Sequence, residues 1–220
     1  MEAAPAECNN KRATIVGTDG DDRLFGTGAR DIIAAHAGDD FVKGLGGEDF
    51  ICGGLGDDVL KGGDGPDHLS GNKGGDRLDG GYDNDHVNGM GGNDLLLGDY
   101  DCDEIHGGSG DDRLVGGRVK SRRCYGDYLT GGKGVDTFEL GGGGGSITAG
   151  PGSEVIYGSP SNDFIDAGTG NDRVYARGES DEIDGGAGDD YLDGGAGNDD
   201  IFGNGGTDTC RNGHAQKCER

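Results

Sequence analysis

The residues of this chain best equipped for chemistry are its aspartates, and they recur at a fixed interval. Stepping by nine from Asp22 reaches Asp31, Asp40, Asp49, Asp58, Asp67, Asp76, Asp85, Asp94, Asp103 and Asp112 without a miss. One six-residue insertion follows. The lattice then resumes at Asp127 and runs through Asp136, Gly145, Glu154, Asp163, Asp172, Asp181, Asp190, Asp199 and Asp208. Of these 21 positions 19 are Asp, one is Glu and one is Gly. Carboxylates in such rows are hard oxygen donors, suited to a cation that takes about six to eight oxygens in a flexible shell. Paired carboxylates also serve acid–base catalysis. Here every pair belongs to the same lattice, so none stands apart for that work.

The elements that position these side chains follow from the rest of the repeat, GGxGxDxUx, where U is a large aliphatic residue. U falls two places after each carboxylate, from Leu24, Ile33 and Val42 to Leu192 and Ile201, with Cys210 in the last unit. Glycines at the first, second and fourth places allow positive φ and close backbone approach, as a tight turn requires. The xUx triplet is a short strand that sends U to one side and its neighbours to the other. Such strands are stable only when stacked, which builds two sheets around one thin apolar layer. Two repeats make one coil of 18 residues, and successive coils lie about 4.8 Å apart. Asp22, Asp40, Asp58, Asp76, Asp94 and Asp112 then share one edge, and Asp31, Asp49, Asp67, Asp85 and Asp103 the other. Carboxylates this close repel unless a cation lies between them. Calcium fits better than magnesium, which demands a near-ideal octahedron and keeps its waters. The competing reading is a metal-free solenoid in which each Asp only closes an Asx-turn; it leaves the stacked charges unexplained.

With copies such as Gly107–Gly108–Ser109–Gly110–Asp111–Asp112 and Gly185–Gly186–Ala187–Gly188–Asp189–Asp190, the chain resembles the RTX, or haemolysin-type, calcium-binding nonapeptide array. The resemblance spans about Gly17 to Arg211. It implies an all-β, right-handed parallel β-roll that folds on binding calcium, in a secreted bacterial protein. The expected ligands are the lattice residues Asp22 to Asp112, Asp136, Glu154, Asp163, Asp172, Asp181, Asp190, Asp199 and Asp208, holding roughly 8–14 ions. The expected parts are an N-terminal segment over 1–16, a first block over 17–117 and a basic insertion over 118–126. A second block, continuous with the first, runs over 127–211, and a disulfide-closed cap over 212–220.

Composition sharpens the reading. Glycine supplies 53 of 220 residues, acidic side chains 43 and basic ones 19, for a net charge of −24. Only 30% of the residues are hydrophobic, against a usual share of about 45–50%. Low hydrophobicity with high charge predicts disorder, which is assigned here to the calcium-free chain. The charge argues against nucleic acid and anionic membrane surfaces as partners, and no stretch approaches the roughly 18 apolar residues of a membrane span. A monomer is expected. Calcium is the expected partner, and cell-wall or matrix polysaccharide or protein is the alternative, with calcium then serving only as scaffold. No serine-nucleophile, HExxH, P-loop or dinucleotide motif occurs. No enzyme is therefore expected, and a carbohydrate-active solenoid is the least favoured reading.

Six cysteines suit an oxidising compartment, and the pairs expected are Cys8–Cys52, Cys102–Cys124 and Cys210–Cys218. No apolar leader precedes Cys8, and a trimmed secreted chain is expected in preference to a cytosolic one with six free thiols. Arg118, Lys120, Arg122 and Arg123 form the one basic island, read as a bulge that relieves the acidic field in preference to a processing or docking loop. The lattice is weakest at Gly145, which lacks a carboxylate, and before Asp181, where Ala176–Arg177–Gly178–Glu179–Ser180 keeps one glycine where the pattern has three. Calcium is expected along both edges up to Asp112 and mainly along the Asp136–Asp208 edge beyond Asp127. Finally, His68 and His86 stand 18 apart with Glu104 and His106 beyond them. Imidazoles in a row suit zinc or copper, though exposed histidines also stack without a metal.

Overall fold

In every repeat the apolar residue two places after the lattice position turns inward. The computed structural model, which describes residues 6–119, 126–216 and 218, places Ile33, Ile51, Leu69, Val87 and Ile105 along one wall of the interior. Val42, Leu60, Leu78, Leu96 and Leu114 line the other, all fully buried. The walls are parallel sheets of 12 and 11 strands, and each strand pairs with the strands two before and two after it in sequence. Leu78 lies between Leu60 and Leu96, so like residues stack on like. Past the insertion Ile105 sits beside Leu129 and Leu114 beside Phe138. The extra residues therefore leave the phase intact. The chain is a parallel β-solenoid with 18-residue coils, the architecture expected of a β-roll, and no helix occurs among the described residues.

Two features depart from the sequence expectation. Halving 21 repeats gives about ten coils, whereas the sheets make about eleven. The difference lies at the ends, where Ile15–Val16 pairs with Ile33 and Ala34 and His214–Gln216 pairs with Asp200–Phe202. Strand length also differs between the blocks: Arg77–Tyr82 is six residues long, against three for Tyr191–Asp193. In the first block the ladder continues through the turn, where Gly81 pairs with both Gly63 and Asp99. In the second block the turns are joined by single bridges such as Thr169 with Ala187.

The N-terminal strands Glu7–Cys8 and Lys11–Arg12 form an antiparallel hairpin. Its turn residues Asn9 and Asn10 both have positive φ, as the commonest two-residue hairpin turn requires. The hairpin lies against the outer face of the 12-stranded sheet. There Cys8 is buried with Ala34 and Phe50, and Lys11 Nζ sits 3.9 Å from the Phe50 ring centre. The expected Cys8–Cys52 and Cys210–Cys218 disulfides are both present. Cys102 is disulfide-bonded as well. Its expected partner Cys124 lies outside the described residues, as do Lys120, Arg122 and Arg123 of the basic island.

Candidate metal sites

Each lattice carboxylate occupies the corner where a glycine turn enters a strand, and its two oxygens have different fates. Oδ1 accepts the backbone N–H of the lattice residue one coil earlier. Asp58 N–H donates to Asp76 Oδ1 at 2.8 Å, and Asp67 N–H to Asp85 Oδ1 at 2.9 Å. The contacts cross the insertion, from Asp103 to Asp127 at 3.0 Å and from Asp112 to Asp136 at 2.8 Å. Two edges result, and the row of contacts lapses at Glu154, whose oxygens accept no hydrogen bond, and at Gly145, which has no carboxylate. One runs from Asp22 through Asp112 to Asp136, Glu154, Asp172, Asp190 and Asp208. The other runs from Asp31 through Asp103 to Asp127, Gly145, Asp163, Asp181 and Asp199.

Oδ2 is the chemically unfinished half. It is buried and accepts no hydrogen bond in Asp40, Asp49, Asp58, Asp67, Asp76, Asp85, Asp94, Asp103, Asp112, Asp136, Asp172, Asp181, Asp190, Asp199 and Asp208. Both carboxylate oxygens of Glu154 are in the same condition. A single buried oxygen left without a partner costs about 1–3 kcal/mol, more if charged, so rows of them need a common explanation. In most of these turns Oδ2 faces a first-place glycine, whereas Asp40, Asp172 and Asp181 have Ala35, Ala167 and Ala176 there. A methyl built on Gly44 would collide with Asp49 Oδ2 and stand 2.8 Å from the carbonyl oxygen of Gly62 in the next coil. Gly53, Gly89 and Gly98 repeat the arrangement. The space that glycine keeps open is therefore bounded by a carboxylate and a carbonyl, the donor set a hard cation takes. The residues fit calcium.

Charge supports the same fit. Burial, followed by repulsion from Asp103 and Asp67, pushes the Asp85 carboxyl up to about 9. Burial likewise drives Asp103 to about 8, and Asp58, Asp67 and Asp112 to about 7. In the second block, burial carries Glu154 to about 8 and Asp181 to about 7. Without a cation these groups hold protons near neutrality.

Three lattice residues differ. Asp22 Oδ2 accepts from the Thr18 N–H at 2.6 Å and its hydroxyl at 2.9 Å, and Thr27 serves Asp31 in the same way. Ser159 donates its N–H to Asp163 Oδ2 and its hydroxyl to Asp163 Oδ1. These are the self-contained turns of the metal-free alternative, and a hydroxyl residue at the second place of the repeat is the sequence signal for them. Asp127, which was not in the expected ligand set, is buried in the same row. At Gly145 the backbone N–H still donates to Asp163 Oδ1 at 3.0 Å. The place of the missing carboxylate is taken by Leu140, fully buried, whose Cδ2 would lie 2.7 Å from a Cβ on Gly145. An apolar side chain thus closes the position where sequence alone shows only a missing ligand.

A second row escaped the sequence reading. Just before many of the lattice aspartates, though not at Gly75 or Val135, a side-chain oxygen accepts the N–H of the counterpart one coil later: Asp21 from Asp39, Asp39 from Asp57 and Asp57 from Gly75. Asn93, Asp111, Asn171 and Asp189 continue it. All lie on the Asp22–Asp208 edge, so that edge carries two parallel rows of side-chain oxygens, one buried and one exposed. The repeated Asp-Asp and Asn-Asp doublets were the available signal.

Comparison with known proteins agrees with this geometry. The model of the RTX calcium-binding nonapeptide repeat matches residues 13–42, 25–60, 61–96, 89–118, 148–183 and 175–210, well over half of the chain. No curated protein matches it. Apart from Asp136, all the unpartnered carboxylates lie within the matched stretches. The chain belongs to the RTX calcium-binding nonapeptide repeat family.

Proposed function

We propose that this chain binds a row of calcium ions in its turns and that binding drives its folding, in an extracellular setting. One observation carries the reading: the buried Oδ2 atoms that accept no hydrogen bond, repeated coil after coil on both edges. The ligands are the lattice carboxylates from Asp40 onward, Asp127 among them, joined by turn carbonyls. Asp22, Asp31 and Asp163, already satisfied by Thr18, Thr27 and Ser159, contribute least. No ion is held at Gly145, where Leu140 fills the gap. Beyond it, Asp181 and Asp199 retain unpartnered oxygens. The depleted stretch on that edge is therefore confined to Gly145 and Asp163.

Calcium supplies a double positive charge and a flexible oxygen shell at each turn. The chain supplies stacked carboxylates, a glycine opening for the ion and a register that keeps both in place. Binding and folding are linked because the site requires two stacked coils. Millimolar affinity, about 10⁻⁴–10⁻³ M, is typical of extracellular calcium modules. Disulfides and millimolar calcium both belong outside the cell.

Far-UV circular dichroism during a calcium titration, followed by chelator, tests the coupling, with a reduced sample alongside. Strand signal should appear with calcium and disappear with chelator. Equal signal in calcium and in excess chelator, reduced or oxidised, would exclude coupled folding.

A further inference from the structure

The outer face of the 12-stranded sheet carries a group of metal-ligating side chains outside the turns. His86 and Glu104 are partners in register on adjacent coils. Ile105 points into the core, so Glu104 and His106, on either side of it, share the outer face. The Glu104 carboxylate lies between two imidazoles. Its Oε2 is 3.2 Å from His86 Nδ1, and its Oε1 is 3.0 Å from His106 Nε2. One ligand atom from each of the three residues lies within 4.8 Å of the other two.

The donor set is not one for calcium. Calcium takes oxygens, whereas imidazole suits zinc, copper and nickel. Around tetrahedral zinc, bonds of about 2.0–2.1 Å place ligand atoms about 3.3 Å apart. The two measured contacts are close to that edge, and one ion bound by all three residues would need the ligand atoms, now within 4.8 Å of one another, to close toward it. The rings are also held from the side. Phe50 stacks on His68 at 4.5 Å, His68 meets His86 at 5.7 Å, and His86 meets His106 at 5.4 Å between centres. This row crosses four coils and leaves His86 little freedom to swing away. A hydrogen-bonded surface pair would need only one histidine. Here two converge on opposite oxygens of one carboxylate, and the acidic molecule raises the local concentration of cations.

We propose that His86, Glu104 and His106 form a transition-metal site, with zinc as the ion and solvent completing its shell. The ligands come from two neighbouring coils, so the site exists only where those coils are stacked. It is chemically separate from the calcium turns and ties the same coils together on a different face.

The test is zinc titrated into the calcium-saturated chain by calorimetry, with cobalt as an optical probe of coordination. One equivalent of zinc should be retained in millimolar calcium. Affinity should fall at least about tenfold in His86→Gln and in His106→Gln, the scale on which zinc sites respond to lost support, and stay unchanged in His36→Gln. The variant side chains are on the surface, and strand circular dichroism checks that each still folds. Zinc uptake equal in both variants and the parent would overturn the proposal. So would uptake that vanishes as calcium is raised, which would put zinc in the aspartate turns, or no uptake at all. If the roll proves to fold without calcium, the same titration and variants in calcium-free buffer decide the matter, so the zinc site and calcium-coupled folding fail separately.

Discussion

A lattice aspartate does two jobs with two oxygens. Oδ1 holds the coil-to-coil hydrogen bond, and Oδ2 is left unpartnered, the oxygen that the proposed function gives to the ion. Asparagine retains the first and removes the charge needed for the second, so Asp85→Asn separates them. Its calcium midpoint should rise about tenfold, on the order of 1.4 kcal/mol. The metal-free form should meanwhile gain strand content, because the repulsion from Asp67 and Asp103 at this buried position is removed. Asp22→Asn, where Thr18 already satisfies the carboxylate, should move the calcium midpoint far less. Calcium titrations of both variants by circular dichroism give the comparison, and equal shifts would mean that the aspartates serve the turns alone. The nine-residue spacing made the lattice legible in the sequence. The hydroxyl caps and the Leu140 plug were not, because each depends on two side chains meeting in a space that only the folded turn defines.

At the scale of the turn, glycine serves two separate purposes. At the first place its φ is ordinary, and the missing Cβ leaves room for Oδ2 and a carbonyl. At the second and fourth places of most turns the backbone is left-handed even where glycine is absent, the hydroxyl-capped turns of Thr18, Thr27 and Ser159 being exceptions. His36, Leu45, Asn72, Met90, Asp99 and Arg177 at the second place, and Asp83, Asp101 and Glu179 at the fourth, all have φ between 68° and 87°. The turn before Asp181 therefore keeps its shape without its glycines and bears the strain, about 1–2 kcal/mol for each L-residue in that region. Gly74 has φ +127°, and a methyl there would strike the Gly56 carbonyl oxygen, whereas nothing lies within 4 Å of one on Gly20. Gly74→Ala should lower the melting temperature of the calcium-loaded protein by at least about 2 °C, and Gly20→Ala should leave it unchanged. Differential scanning calorimetry of the pair checks this, and comparable losses would show that turn geometry is not the cause.

For the molecule as a whole, the net charge of −24 makes folding sensitive to pH, in addition to the calcium dependence proposed above. Lattice carboxyls that ordinarily titrate at 3.8 are raised by burial to about 6 at Asp76, about 7 at Asp58 and about 9 at Asp85. Groups whose pKa rises on folding favour the folded state most when protonated. Their stabilisation is full below pH 3.8 and is lost as pH climbs through about 6 to 9. Metal-free protein should therefore show more strand signal at pH 4 than at pH 8, the reverse of ordinary acid denaturation. Calcium must displace these protons, so its apparent affinity should weaken from pH 8 to pH 6. Circular dichroism of desalted protein across this range measures the first effect, and a metal-free chain more ordered at pH 8 would contradict the burial of the carboxyls.

The sequence by itself determined the repeat, the 18-residue coil, both edges and their continuation past the insertion, because strict periodicity admits a single stacking register. It also determined the kind of ion, because rows of carboxylates at coil spacing are unstable without a hard divalent cation. Only the tertiary structure decided which oxygens remain unpartnered, which turns close on their own hydroxyls, and where an apolar side chain stands in for a ligand. The sequence aligned His68, His86 and Glu104 in one row with His106 nearby, and the structure brought His86 and His106 into contact with the Glu104 carboxylate. These outcomes depend on contacts between coils, made by side chains that the nine-residue pattern leaves free to vary.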